Sequence, residues 1–572
     1  MEKTRKYIWI SICSLAGLLT VLGIIKALFV SIDVDESYAI AQAYRLVTGD
    51  KILFDMWEPH QFSAFLPAFF LYPFVKLTGG TGGCVIYLRV IGTLIHLLIG
   101  AFLFFVAKKE INAKAAYAIF IVHMNFLAKW ICIPEFELMH YWSMLLVFLL
   151  FYMGEKNYKA VYYFLAGIAF GMGVLCYPTV IPVFFVLIII LSVRHKGKGA
   201  LPFTLGTAAV ALITVVSILF STPISELPLF ISYILMDSSH TSGMKYKIDT
   251  YPLEILEHLK GIAVILGIGV MAATVIVVVK LVIKKKKTGV YSFVLLVLFA
   301  ASAAISLQTL YGYVFLDCNQ FYLQDRFFVY ILLFLVISFK ELKKYDSEFL
   351  YGILPALITL PAVFLITNMD MNSLYSKLFT GVVAGLFIIG RKYFREKEDK
   401  NDEKILALVF ASSMLLCLFA CRLLLIRVNG CAPVTMNAAL KKVENGPAAG
   451  LFILKDQADA WNSSYEVMKN TVGNKNVLYI GQEQLFYVTF CEKVNTPSVQ
   501  GTTVFNEMYT KYYEVFPEKY PEIIVKDASF GANAAYYNSY ENQYIENWIN
   551  GNHKTETLVN NGYYEILSLN KK

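Results

Sequence analysis

The sequence predicts an α-helical polytopic membrane protein with a C-terminal α/β domain. Of the 572 residues, 57% are apolar and only 16% are charged, and the mean hydropathy is +0.58. Soluble proteins hold about 45–50% apolar and about 25% charged residues, so a soluble or disordered chain is excluded. The formal net charge of +8 is modest, and basic residues sit in short runs between apolar stretches. The expected partner is therefore a lipid bilayer and not a nucleic acid.

Apolar stretches divide the first three quarters of the chain. About 20 apolar residues in a helix cross the hydrocarbon core, and we predict thirteen such spans, several of them shorter than this. Their approximate bounds are 7–30, 84–107, 115–131, 139–154, 160–177, 179–193, 203–221, 258–283, 290–313, 327–341, 350–368, 375–391 and 405–426. Pro178 separates the fifth span from the sixth, because proline breaks a helix.

Basic residues lie in alternate loops. Lys3, Arg5 and Lys6 precede the first span, and every second loop after it is also basic. Because Lys and Arg favour the cytoplasmic side, we expect a cytoplasmic N-terminus and, with an odd number of spans, an extracytoplasmic C-terminus. This arrangement suits a multi-pass protein of a bacterial plasma membrane.

The first outer loop, residues 31–83, is long enough to carry function. Within it, Ser37–Thr48 has the spacing of a short helix. The run Phe62–Leu77 is apolar, but Pro67 and Pro73 interrupt it. We expect this run to lie in the membrane interface rather than to cross the bilayer.

The tail, residues 428–572, has the composition of a soluble domain. It holds 12 basic and 15 acidic residues, a net charge of −3. Short β-like runs alternate in it with helical ones. The β-like runs are Gly450–Leu454, Asn476–Ile480, Glu522–Val525 and Tyr563–Leu569, and the helical ones are Asp459–Thr471, 504–516 and Glu541–Asn550. We therefore predict a membrane domain over 1–427 and an extracytoplasmic α/β domain over 428–572.

Three carboxylates, Asp33, Asp35 and Glu36, directly follow the first span. A carboxylate whose pKa is raised by partial burial can act as a general base. The alternative is a solvated acidic loop that helps to keep this segment outside. From composition, the two interpretations are about equal.

Further polar groups are predicted at the same membrane depth. Arg89 opens the second span and Arg326 the tenth, and a guanidinium matches the oxygens of a lipid phosphate. Interface anchoring explains each arginine equally well, and Lys129 too. The remaining candidates are Glu58, His60, Glu135 and Glu137, and the sequence does not decide between the last two.

In this order, the residues resemble the polytopic glycosyltransferases of the GT-C class, specifically the protein O-mannosyltransferase and lipid A aminoarabinose transferase group (glycosyltransferase family 39-like). The resemblance rests on the acidic pair Asp35-Glu36 after the first span, a segment near His60, Arg89, and Arg326 before an aromatic pair. It covers about residues 1–430, and the layout of spans, first loop and outer domain is also similar.

The chain departs from the family pattern at two points. Pro59-His60-Gln61 stands where the family has His-Pro-Pro or Lys-Pro-Pro. Tyr177-Pro178 stands where the family often has Lys-Pro, which leaves one cationic contact to the donor unassigned.

The resemblance implies a sugar linked to polyprenyl phosphate as donor and a lipid, glycan or protein as acceptor. Asp35 is then the general base for an inverting transfer, with Glu36 beside it, and Arg89 and Arg326 hold the leaving phosphate. The other substrate-binding candidates are Asp33, Glu58, His60, Glu135 and Glu137. No cofactor is required, although Asp33, Asp35 and Glu137 offer oxygen ligands to Mg²⁺ or Ca²⁺.

Two other functions compete with this interpretation. A transporter places charged groups near the bilayer midplane and often shows internal repeats, whereas this sequence shows no repeat and few mid-span acidic residues. A non-catalytic scaffold that presents the tail needs none of the carboxylates, so Asp35→Asn would leave its function intact.

Overall fold

The structure of the chain is a computed structural model. It describes residues 2–127, 132–234, 244–284, 287–315, 322–366, 375–395, 401–428, 431–481, 483–500, 506–527, 547–551 and 553–571. The last residues of the third predicted span, including Lys129, lie outside these ranges, and so does most of the helix predicted at Glu541–Asn550.

Helices form most of the chain. In order they are α1 (Glu2–Phe29), α2 (Val34–Val47), α3 (Phe65–Thr78), α4 (Cys84–Glu110), α5 (Ala113–Asn125), α6 (Phe136–Asn157), α7 (Ala160–Cys176), α8 (Ile181–Val193), α9 (Ala200–Ser221), α10 (Leu227–Ile234), α11 (Met244–Lys284), α12 (Val290–Phe315), α13 (Tyr322–Lys340), α14 (Asp346–Glu348), α15 (Leu354–Ile366), α16 (Phe379–Gly390), α17 (Asn401–Leu424), α18 (Lys455–Val472), α19 (Leu485–Phe490) and α20 (Asn506–Val515). Short 3₁₀ turns lie at Gln61–Ala64, Pro178–Val180, Arg194–Gly197, Tyr375–Leu378 and Pro517–Lys519, and π turns at Phe349–Ile353 and Arg391–Arg395.

The chain is a polytopic helical membrane protein. Each of the thirteen predicted spans coincides with a helix. Eight helices in the described ranges are long and apolar enough to cross a membrane, and the two on either side of Tyr177 are apolar but shorter. The break at Pro178 is confirmed, since a 3₁₀ turn separates α7 from α8. In the first outer loop, the helix predicted at Ser37–Thr48 is α2, and the run Phe62–Leu77 lies mostly in α3, which continues through Pro73.

Small residues bring α7 and α9 together. A Cβ atom at Gly167 would collide with the backbone oxygen of Phe203, and one at Gly206 would collide with the oxygen of Phe164. Backbones approach this closely only where side chains are absent, as is common between membrane helices. The two glycines therefore set the distance between these helices.

Ion pairs join the loops that are predicted to be cytoplasmic. Arg194 bridges Glu155 at the end of α6 and Asp346 of α14, and Arg391 pairs with Glu348 at 2.6 Å. Glu110 at the end of α4 contacts both Lys156 and Arg395. These alternate loops thus meet at one end of the helix bundle.

Among the described residues, eight strands form three small sheets, with the first strand at the border of the tail and the other seven within it. They are β1 (Leu425–Val428), β2 (Cys431–Thr435), β3 (Leu440–Lys442), β4 (Phe452–Leu454), β5 (Val477–Ile480), β6 (Ile523–Asp527), β7 (His553–Asn560) and β8 (Tyr564–Lys571). The largest sheet has the order β5-β6-β8-β7, with β5 and β6 parallel and the other pairs antiparallel. All four β-like runs coincide with strands, whereas β1, β2, β3 and β7 were not predicted.

The tail packs directly on the first outer loop. The backbone N–H of Ser31 donates to the oxygen of Phe452 at 2.8 Å, and that of Trp57 donates to the oxygen of Pro497 at 2.8 Å. The Tyr44 hydroxyl donates to the oxygen of Cys491 at 2.8 Å. The first loop is therefore held between the membrane helices and the tail, and its side chains are fixed from both sides.

Candidate functional site

The three carboxylates after α1 have three different environments. Asp33 is buried, and its side chain accepts a hydrogen bond from the backbone N–H of Asp35 at 3.0 Å, which caps the N-terminus of α2. Glu36 is buried and points into the protein, whereas Asp35 is partly exposed. Only Asp35 of the three thus remains open to solvent.

Glu36 and Arg89 form a buried bidentate ion pair. Arg89 Nε and Nη2 each lie 2.6 Å from a carboxylate oxygen of Glu36. Arg89 also donates to the backbone oxygens of Ala27 and Ser31, at 3.0 and 2.8 Å, and so caps the end of α1. In this arrangement the donors of Arg89 are directed at Glu36 and at α1. The catalytic role predicted for Glu36 and the phosphate contact predicted for Arg89 remain predictions.

Glu58 joins the first loop to the tail. Its carboxylate accepts hydrogen bonds from Arg45 at 3.3 Å and from the Ser498 hydroxyl and the Val499 N–H at 3.0 Å each. Arg45 is fully buried and also bonds Asp50 at 2.7 Å. Burial raises the pKa of Glu58, while Arg45 acts in the opposite direction. These contacts place Glu58 in the joint between the two parts of the chain.

His60 lies beside an aromatic cluster. Its backbone has a φ of +60°, a conformation that non-glycine residues seldom adopt outside functional or tightly constrained sites. The imidazole stacks on Phe136 with 4.1 Å between ring centres and meets Tyr177 edge-on at 5.3 Å. His60 Nδ1 lies 3.3 Å from the backbone oxygen of Cys176. The first loop therefore reaches the start of α6 and the end of α7.

The structure separates Glu135 from Glu137. The carboxylate of Glu135 caps α6 by accepting from the N–H groups of Glu137 and Leu138 at 2.8 and 2.7 Å. Glu137 instead accepts from the Tyr177 hydroxyl at 3.3 Å, and its Oε1 lies 3.9 Å from Lys377 Nζ. Of the two carboxylates, Glu137 is the one that faces the aromatic cluster.

Lys377 supplies a cation to this cluster. It lies on the 3₁₀ turn before α16 and is only 3% exposed. Its Nζ lies 3.6 Å from the centre of the Tyr177 ring. The sequence has no lysine directly before Pro178. Lys377, which is 200 positions after Tyr177 in the chain, places a cation beside Tyr177 instead. Sequence reasoning missed Lys377, because no local motif marks it.

Arg326 lies in the first turns of α13. Its Nη1 lies 2.7 Å from the sulfur of Cys417 in α17, and its guanidinium packs over the Phe327 ring at 4.8 Å. The neighbouring Asp325 pairs with His258 of α11 at 2.5 Å. His258 was not predicted, since no motif marks it within its long helix.

The face of α2 that carries Asp35 is turned toward the His60 segment. Tyr38 and Gln42 follow Asp35 at helical spacing, and both donate to the backbone oxygen of Pro59 at 2.8 Å. We refer to Asp35, His60, Phe136, Glu137, Tyr177 and Lys377 together as the outer cluster. It combines a partly exposed carboxylate with a buried cation and aromatic surfaces.

The proposed cation ligands Asp33, Asp35 and Glu137 are not gathered into one group. In the described part of the chain, no set of three or more His, Cys, Asp and Glu side chains has the arrangement of a metal site. Asp33 is used as a helix cap and Glu137 faces Tyr177 and Lys377.

The chain matches no protein-family model and no curated protein. It does resemble solved structures of an oligosaccharyltransferase from Archaeoglobus fulgidus. One, the archaeal oligosaccharyltransferase AglB with an inhibitory peptide and a dolichol-phosphate, is 14% identical, with a TM-score of 0.42, over 99% of this chain and 74% of that chain. Another, tethered to an acceptor peptide containing the NVT sequon, is 13% identical, with a TM-score of 0.43, over 100% and 75%. A third, in complex with Zn and sulfate, is 13% identical, with a TM-score of 0.45, over 98% and 73%.

The three matches span nearly the whole of this chain and about three quarters of each solved structure. The low identity and modest structural overlap assign no substrate, ion or site residue to this chain.

Proposed function

We propose that the protein is a membrane glycosyltransferase that moves a sugar from a polyprenyl-phosphate donor to an acceptor hydroxyl at the outer membrane face. The observation that carries the proposal is the difference in exposure among the first three carboxylates. Asp33 and Glu36 are buried, whereas Asp35 is partly exposed and can therefore meet a substrate. Its helix face is directed toward the rest of the outer cluster.

In the proposed reaction, the acceptor hydroxyl transfers its proton to an oxygen of Asp35. The hydroxyl oxygen attacks the anomeric carbon as the bond between that carbon and the phosphate oxygen breaks, so the configuration inverts. The electron pair of the broken bond leaves with the polyprenyl phosphate. General-base assistance of this kind contributes about 10²–10⁴ in rate.

The leaving phosphate needs a positive charge nearby, and Lys377 is our candidate for that role. Its ammonium is held by Glu137 and Tyr177 at the edge of the cluster and is shielded from water. A cation in such an environment stabilises developing negative charge more strongly than one in bulk water. Arg326, for which the sequence predicts a phosphate contact, is a second candidate for this positive charge. Arg89 could bind the phosphate only if its ion pair with Glu36 were broken.

His60 stacks on the buried ring of Phe136 and is itself partly exposed, so its imidazole offers a surface for a sugar or for the first isoprene unit. The acceptor is a lipid, a glycan or a protein, and the tail above the first loop is placed to hold it. We propose a plasma-membrane location with this site on the extracytoplasmic side.

The test is sugar transfer by the full chain reconstituted in vesicles. A panel of polyprenyl-phosphate sugars is supplied with acceptors, and mass spectrometry follows the released polyprenyl phosphate. We expect Asp35→Asn to reduce release at least about 100-fold. Asp456→Asn, which changes an exposed tail carboxylate, is the matched control and should be fully active. Full activity of folded Asp35→Asn, or intact donors throughout the panel with the unaltered protein, would contradict the proposal.

A further inference from the structure

Arg422, near the end of α17, is a buried cation. Its side chain is 3% exposed, and neither Nε nor Nη1 has a hydrogen-bond partner among the described residues. Its stem packs against Gly23 of α1, where a Cβ atom would lie 2.6 Å from Arg422 Cγ. The guanidinium is thus fixed in a contact between two helices, and no acidic side chain of the described residues neutralises it.

A second cation lies next to it. Lys26 of α1 donates to the backbone oxygen of Arg422 at 3.0 Å and also to that of Leu425, and so caps the end of α17. The positive charges of Lys26 and Arg422 repel each other. Two cations at one helix contact, without a carboxylate between them, form a place where an anion is strongly favoured.

The surroundings of this contact are open to lipid. Only 11% of the apolar part of α1 is buried in the protein. Leu22, Ile25 and Phe29 of α1 and Leu424 of α17 are each at least 40% exposed. An acyl chain can therefore lie along α1 while its headgroup reaches the last turn of α17. That turn ends where the chain leaves the helix bundle for the tail. The ends of membrane-spanning helices are where lipid phosphates are expected.

We propose that Lys26 and Arg422 form a binding site for the phosphate of a bilayer lipid. A guanidinium offers several N–H donors to phosphate oxygens, and burial strengthens the attraction. The site is separate from the outer cluster and does not depend on the proposed sugar transfer. It would fasten α1, which has little contact with the other helices, to α17 through the lipid.

The experiment uses the full chain, stripped of lipid in a phosphate-free maltoside detergent. Phosphatidylglycerol, the phosphate-free lipid diglucosyl diacylglycerol, and inorganic phosphate are added separately, and thermal unfolding and native mass spectrometry report binding. We expect phosphatidylglycerol to raise the melting temperature of the unaltered protein. Arg422→Gln should weaken its apparent affinity at least tenfold.

Arg395→Gln, which removes a half-exposed arginine at the other end of the bundle, should bind like the unaltered protein. Arg422→Lys, which keeps the charge, and Arg422→Leu, which keeps the packing against Gly23, serve if Arg422→Gln does not fold. Equal protection by diglucosyl diacylglycerol would show that the chains, not the phosphate, are recognised. Equal protection by inorganic phosphate would assign the site to a free anion. Either result, or unchanged binding by folded Arg422→Gln or folded Arg422→Leu, overturns the proposal.

Discussion

The ammonium of Lys377 lies 3.6 Å from the centre of the Tyr177 ring, and the stacked pair of His60 and Phe136 meets the same ring edge-on. A cation over an aromatic face, beside a carboxylate 3.9 Å away, is held in place with little freedom. Such a cation is ready to receive negative charge without reorganisation of its surroundings. The contribution of Lys377 to the proposed transfer is therefore expected to depend on both its charge and its position.

We predict that Lys377→Met lowers the turnover of the proposed transfer by about 10²–10³, because one buried electrostatic contact to the leaving group is lost. Lys377→Arg should retain more activity than Lys377→Met, since it keeps the charge but changes the geometry. Turnover with saturating donor is the measurement, and Lys475→Met, at an exposed tail position, is the control. Unchanged turnover of folded Lys377→Met would remove this residue from the mechanism.

Asp35 and its neighbour Glu36 should differ in what their substitution disturbs. Glu36→Gln leaves the buried guanidinium of Arg89 without its anion, which typically costs about 3–5 kcal/mol. We expect a clear fall in melting temperature for Glu36→Gln and almost none for Asp35→Asn, which is partly exposed. Thermal unfolding in detergent, measured alongside transfer activity, separates the two residues. An equal loss of stability in both variants would contradict these assignments.

Stability should depend on pH through Glu483, which lines a cavity between the first loop and the tail together with Ile32 and Trp461. Burial raises the pKa of Glu483 to about 8, although the Leu485 N–H opposes this, and Asp527 and Glu36 add to the rise. In the unfolded chain, a Glu titrates near pH 4.3. Between these values the folded state keeps a proton that the unfolded state has lost, so stability falls as pH rises through this window.

The size of this effect is on the order of 1 kcal/mol per pH unit. Glu483→Gln should remove it, so the variant gains relative stability over the unaltered protein from pH 5 to pH 8. Melting temperatures at four pH values in this range test the slope, with Glu444→Gln as an exposed control. A parallel pH profile for Glu483→Gln and the unaltered protein would show that this carboxyl is ionised in the fold.

The joint around Arg45 should dominate the attachment of the tail. Arg45→Met leaves Glu58 and Asp50 buried with one cation fewer, and we expect a loss of about 3–5 kcal/mol. Lys519→Met breaks a more exposed pair with Asp55 and should cost about 1 kcal/mol or less. Limited proteolysis of the tail, together with thermal unfolding, would rank the two variants. A larger effect from Lys519→Met would mean that Asp55 carries the joint.

The spans and the tail could be predicted because their signals are local. Long apolar runs mark the helices whatever they contact, and Pro178 marks a break by itself. The strand β7 was missed since its residues are mostly polar and exposed, as expected for the edge of a sheet. Apolar alternation, the usual signal of a strand, is weak at such an edge.

The roles of the site residues depend on contacts between distant positions. Asp35 and Glu36 are neighbours in sequence, but the ion pair with the distant Arg89 shows that Glu36 is directed into the protein. Glu135 and Glu137 differ only in direction, because one caps a helix and the other faces Tyr177. Lys377 has no motif around it, and it becomes a candidate site residue only because the fold brings it to Tyr177. Composition finds the candidates, and three-dimensional contacts distinguish them.

The hydrogen bonds from Arg45, Ser498 and Val499 to Glu58 have a consequence for exchange between proteins. A tail taken from a relative would meet a first loop whose carboxylate expects these particular donors. Arg45 lies in the first loop and stays with Glu58, but such a chimaera would leave one carboxylate oxygen of Glu58 without its donors unless the new tail supplied groups equivalent to Ser498 and Val499. Loop and tail are thus expected to be inherited as a matched set, even though more than 400 positions separate them in the chain.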